Sequence, residues 1–158
     1  MSSSATAVKT DDSTNPTIAA TAAADAAIAY GLLRVGFGIN IMIHGVVRLL
    51  APPGAFLNYL THYFEKTPLM PQASLPIFAG VIPWLEGGFG LLLLLGLFTR
   101  ISLIGGTLTM IGLVLGTNMA QDWNIAGLQL IYLFIYYYLL AHRAEMNRYS
   151  IDGIMGKN

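Results

Sequence analysis

The sequence predicts an all-α integral membrane protein, an antiparallel four-helix bundle with cytoplasmic N and C termini. Three observations carry this. Hydrophobic residues make up 55% of the 158 and charged residues only 10%, with a mean hydropathy of +0.63; soluble globular domains carry about 25% charge. Four apolar segments follow one another, each near the roughly 20 residues that cross a ~30 Å hydrocarbon core. The links between the later segments are so short that neighbours must run antiparallel.

Residues 1–27 are rich in Ser, Thr, Ala and Asp, with Asp11 and Asp12 where a secretory signal would carry Lys or Arg. This stretch reads as a polar tail. Within it, Asn15 and Pro16 have the pattern of an N-cap followed by proline at the first helical position, and an alanine run follows. A helix beginning at 16, ahead of the membrane, is expected. The first span is about 28–50. At roughly 100° per residue, Arg34, Asn40, His44 and Arg48 share one arc, edged by Gly31, Gly38 and Gly45, while Leu32, Val35, Ile39, Ile43, Val46 and Leu50 lie opposite. Charges avoid lipid and glycines allow close approach, so the polar face should look inward.

The first loop is long. Between Pro52-Pro53 and the prolines at 68 and 71, Ala55 to Lys66 places Phe56, Leu57, Leu60 and Phe64 among polar residues, a pattern for a short interfacial helix. The second span, about 75–98, has Ala79, Pro83, Glu86 and Gly90 on one side. The third, about 101–119, follows the Thr99-Arg100 link and carries Gly105, Thr109, Gly112 and Gly116 as a small-residue stripe, expected to make close helix contacts inside the bundle. The fourth, about 125–142, carries Gln129 and Tyr132, and residues 143–158 form a cytoplasmic tail. Orientation follows from basic residues at the helix ends: Lys9, Arg100, Arg143, Arg148 and Lys157 fall on one side, Arg48 and Lys66 on the other.

Composition also removes whole classes of function. Zero net charge without a basic block argues against nucleic acid as a partner. With no cysteine there is no thiol chemistry, iron-sulfur cluster or dithiol relay. No spacing resembles a metal site, so no metal is expected, and His44 and His142 belong at different depths, which argues against a bis-histidine haem.

What remains is an ionisable constellation. Glu86 falls near the level of Asn40 and His44, with Gln129 and Tyr132 descending toward it, so Glu86, His44, Arg48, Asn40, Gln129 and Tyr132 form the candidate polar site in the outer half. A membrane-buried charge costs about 2.5–3.5 kcal/mol on insertion scales, so Glu86 should pair with Arg48 or His44. Two readings follow. The pair fixes helix register, or the same donors and acceptors bind a polar head group such as that of a quinone. Arg34 and Arg100 are read as structural membrane charges, Arg34 held by inner-side carbonyls or by a tyrosine of 136–138.

Specific residues also resemble a family. Leu33-Arg34-Val35-Gly36-Phe37-Gly38, then His44-Gly45-Val46-Val47-Arg48, then Trp84-Leu85-Glu86-Gly87-Gly88 through Leu94-Leu95-Gly96-Leu97-Phe98-Thr99-Arg100 is similar to the DoxX family of small four-helix membrane proteins, which includes the DoxD type. In that family the first helix commonly carries the early Arg and a Gly followed by a basic residue, matching Arg34, Gly45 and Arg48; a Glu with glycines and a closing Thr-Arg match Glu86, Gly88, Thr99 and Arg100. The resemblance implies a multi-pass protein of a bacterial or archaeal cytoplasmic membrane, in some members associated with thiosulfate:quinone oxidoreduction and in others with redox-stress complexes. The expected function is therefore a membrane subunit of a redox complex, contributing a quinone head-group site. It would have no intrinsic cofactor and would take electrons from membrane or soluble redox subunits. The alternative is a non-catalytic subunit packed against a larger assembly; a small transporter ranks third.

Overall fold

The computed structural model describes residues 16–156; Asn15, the tail before it and Lys157 lie outside the described residues. The described chain is all-helical apart from turns: α1 (Pro16–Leu50), α2 (Ala55–Tyr63), a 3-10 turn (Gln72–Ser74), α3 (Leu75–Leu95), α4 (Thr99–Met119), α5 (Trp123–Met146) and α6 (Ile151–Ile154). α1, α3, α4 and α5 lie in helical stretches long and apolar enough to cross a membrane. They close into a ring in which α1 packs on α3 and α5, and α4 packs on α3 and α5. Cross-pairs descend in register, Tyr30 with Leu139, Phe37 with Tyr136 and Asn40 with Tyr132, so α1 and α5 are antiparallel.

Local chemistry sets the ends of these helices. α1 starts at Pro16 and runs 35 residues, about 50 Å at ~1.5 Å per residue. That exceeds the hydrocarbon core, so its first turns project beyond it. α3 begins with Pro76 in its first turn and ends at Gly96, whose φ of 64° suits a residue without Cβ and lets the N–H of Leu97 reach back to Leu92 O. α4 begins at Thr99, so Arg100 sits exposed in its first turn. α5 opens on Asp122, which accepts from Ile125 N at 3.1 Å, and continues to Met146 rather than ending at His142.

The four long helices pack as one bundle. Tyr30, Phe37, Ile41, Leu93, Leu103, Met110, Tyr136 and Leu139 form its core, with the Phe37 and Tyr136 rings edge-on at 4.7 Å. Close backbone approach occurs between α1 and α3. A Cβ on Gly38 would stand 2.6 Å from Leu94 N, and one on Gly45 or Gly90 would overlap the facing helix's backbone.

The expected seam on α4 is not there. A Cβ on Gly112 would meet nothing within 4 Å, one on Gly116 would touch only the Phe64 ring at 3.4 Å, and one on Gly105 would enter the Phe89 ring. Thr109 bonds its own helix at Gly105 O. These residues share a face as expected, but that face receives aromatic rings and open space instead of a backbone. The small residue makes room for a neighbour's side chain, a use that spacing alone does not distinguish from helix-on-helix contact.

The C-terminal segment is a built part of the fold and not a free tail. Asp152 is buried and accepts from Phe98 N at 3.0 Å and Thr99 N at 2.6 Å, satisfying donors that the start of α4 leaves unpaired. Phe98 itself sits at φ 47°, a left-handed conformation costly for a residue with a side chain; the Asp152 carboxylate holds it there. Asn147 Nδ2 donates to Thr99 Oγ1, and Asp152 N to Gly96 O.

Candidate functional site

Beyond Asn40 and Tyr132, toward the α2 end, the four long helices part around a cavity of about 530 Å³. α1 contributes Ile41, His44 and Arg48 to its wall; α3 contributes Phe78, Ile82 and Glu86; α4 contributes Met110 to Met119 residues including Gly112 and Thr117; α5 contributes Ile125, Leu128, Gln129 and Tyr132. Its roof is the first loop. Phe64, Met70 and Leu75 are buried there as a second small core with Leu57, Leu60, Tyr63 and Met119 packed around them. The amphipathic pattern of Ala55 to Lys66 therefore folds its apolar side down over the bundle. A burial partner is available within the chain, and apolar area leaves water or headgroups wherever it finds one.

The roof is fastened at two points. Arg48 Cζ lies 4.8 Å from the centroid of the Phe56 ring, within cation–π range. Tyr63 Oη donates to Asp122 Oδ2 at 2.9 Å, tying α2 to the α4–α5 turn. Burial first, and then that carboxylate taking its hydrogen, push the Tyr63 phenol above its ordinary range.

Inside, Arg48 Nη1 donates to Glu86 Oε2, and Glu86 is only 5% exposed. Pairing is the way a carboxylate can be buried at this depth. Arg48, in the last turn of α1, also sits where a helix favours positive charge. The ion pair selects Arg48 over His44, whose Nδ1 instead lies 2.7 Å from Asn40 O of its own helix. Asn40 Nδ2 donates to Tyr132 Oη at 3.0 Å. Gln129 Oε1 accepts from Thr117 Oγ1 at 2.8 Å.

Of the six residues read from the sequence as one polar site, Arg48, Glu86, His44, Gln129 and Tyr132 line the cavity, and Asn40 stands behind it as the partner of Tyr132. Sequence reasoning missed the aromatic roof. Phe56, Tyr59 and Tyr63 recur at helical spacing, with ring centroids of 6.3 and 5.8 Å between successive members, and that spacing was its signal. Arg34 lies elsewhere, 2% exposed, donating to Leu93 O at 2.5 Å, Leu94 O at 3.0 Å and Tyr149 O at 2.8 Å. Two of these acceptors are carbonyls of the last turn of α3, where a helix runs out of its own donors.

The wall is thus mostly apolar and aromatic, with a few convergent polar groups at one depth. That is the make-up of small-molecule sites, whose volumes run ~300–1,000 Å³. The chain matches the sequence model described as DoxX over residues 29–119, from within α1 through α4. Gln129 and Tyr132, on α5, fall outside the matched stretch. No curated protein and no solved structure matches the chain.

Proposed function

The chain belongs to the DoxX family, and from that premise we propose that this multi-pass membrane protein is a subunit of a redox complex in a bacterial or archaeal cytoplasmic membrane, contributing a quinone head-group site. The observation that carries the reading is the cavity, an apolar chamber within the spans with the Arg48–Glu86 pair, His44, Gln129 and Tyr132 on its wall. A quinone has the matching build, an apolar body that dissolves in lipid and a ring whose carbonyls need donors. Tyr132 Oη already accepts from Asn40, which leaves its own hydrogen for a ligand. Asn40 therefore positions the donor without touching the ligand. Electrons come from a partner subunit, since the chain has no cysteine or other evident carrier.

The test is binding of a decyl-substituted benzoquinone to the purified full chain in lipid nanodiscs. Saturable binding is expected, weakened by Tyr132→Phe in a chain that still folds; failure of the folded wild-type chain to bind either this quinone or its hydroquinone sinks the reading.

One observation favours the second reading, a non-catalytic subunit packed against a larger assembly. Gly80 and Gly88 are exposed on the outward face of α3, and a Cβ on either would meet nothing within 4 Å, which is how small residues stand before a partner helix covers them. Purification in mild detergent, with identification of co-purifying proteins, separates the two. A stoichiometric complex without bound quinone favours packing alone.

A further inference from the structure

The donors and acceptors on the cavity wall determine which redox form of such a ligand fits, an inference that rests on the quinone reading above. Glu86 gives only Oε2 to Arg48. Its Oε1 has no donor among the described residues, and Glu86 lines the cavity. A carboxylate oxygen accepts and does not donate. His44 Nδ1 faces the carbonyl oxygen of Asn40, which can only accept, so this nitrogen is engaged with its own helix. The α5 side offers the complement, the Tyr132 hydroxyl hydrogen and the amide end of Gln129.

A quinone ring offers oxygen lone pairs and no hydrogen to give. Set beside Glu86 it would strip water from Oε1 and return nothing, and the two oxygens would repel. A hydroquinone can donate a hydroxyl hydrogen to Glu86 and accept from Tyr132 at its other oxygen. We infer that the cavity selects the hydroxylated, quinol form of its ligand, with Glu86 as the acceptor that discriminates.

The experiment uses the full chain in nanodiscs under anaerobic conditions with three probes: a decyl-substituted benzoquinone, its hydroquinone, and the dimethyl ether of that hydroquinone, which keeps the shape and lacks both hydrogens. The hydroquinone is expected to bind at least about tenfold more tightly than either other probe. Tenfold is ~1.4 kcal/mol, the scale of one hydrogen bond to a charged group. In Glu86→Gln, the amide oxygen would be held by Arg48 and its N–H groups would turn to the ligand, so the preference should reverse toward the quinone. Equal binding of quinone and hydroquinone, or of the ether and hydroquinone, overturns the inference while leaving the quinone reading standing. Binding of none of the three overturns that reading itself. A folded Glu86→Gln chain that keeps the tenfold preference removes Glu86 from the role; if that variant does not fold, the wild-type series decides alone.

Discussion

Replacing Gly45 by alanine tests the packing logic of the whole bundle. The added Cβ would overlap Gly87 N and Pro83 O and lie 2.6 Å from Gly87 Cα, all backbone atoms of α3 that no rotamer change can move aside. α1 and α3 would have to separate where Glu86 and Arg48 meet. Overpacking typically costs about 1–3 kcal/mol, and backbone obstruction puts this site at the upper end, ~3 kcal/mol. Against that stands the gain of about 0.5–1 kcal/mol when alanine replaces glycine inside a helix. The net expectation is a loss of ~2 kcal/mol. Gly112→Ala supplies the control, because its Cβ meets nothing within 4 Å and only the propensity gain, up to ~1 kcal/mol, remains. The two variants should therefore differ by about 3 kcal/mol in opposite directions, read as unfolding of the purified chain in mixed micelles of rising denaturing detergent. Equal stability of Gly45→Ala and wild type, or a loss in Gly112→Ala as large as in Gly45→Ala, would refute the assignment of the tight seam to α1 and α3.

Other outcomes follow from the same structure. Glu86→Leu should strand the Arg48 charge and lower stability by about 3–5 kcal/mol, the cost of breaking a buried pair, with much of it recovered in Glu86→Leu combined with Arg48→Met; additive losses in the double variant would show that the two residues do not interact. Asp152→Ala should cost about 0.5–2 kcal/mol by uncapping α4, although it lies far along the chain from that helix; an unaffected melting curve would mean that the C-terminal segment does not dock. Tyr63→Phe removes the tie to Asp122, worth about 0.5–1.5 kcal/mol, and should speed amide exchange in residues 55–74 while α4 and α5 stay protected; unchanged exchange there would mean the roof is held by apolar packing alone. The chain has no native cysteine, so single cysteines at Ser3 and Asn58 report topology: an impermeant reagent on intact cells should label position 58 and spare position 3, and the reverse would invert the orientation read from the basic residues.

The amino-acid sequence by itself determined the class of structure. Four apolar stretches and too few charges leave the bilayer as solvent, and in a bilayer a backbone is satisfied within a helix. Facing was legible for the same reason. Leu32, Ile39, Ile43 and Leu50 are exposed and Arg34 and Gly45 buried, as a 100° rotation per residue requires. The depth of Glu86 relative to His44 and Arg48 was also readable, since rise per residue is fixed and both spans cross the same hydrocarbon core.

Only the tertiary structure decided which neighbour each inward residue meets. Glycines on α1 and on α4 look alike in sequence, yet α1 packs its own against the α3 backbone, whereas α4 uses Gly105 and Gly116 to admit the rings of Phe89 and Phe64. Glu86 had two basic residues within reach; the crossing of α1 over α3 gave it Arg48, and His44 turned to its own helix. The first loop could lie in the headgroups or fold inward, and the space left where the four helices part settled that it became a roof. Asp152, distant in sequence from Phe98 and Thr99, became their cap because the end of α5 returns beside the start of α4. Periodicity constrains a residue against its own helix axis, and contacts between helices depend on crossing geometry that no local pattern encodes.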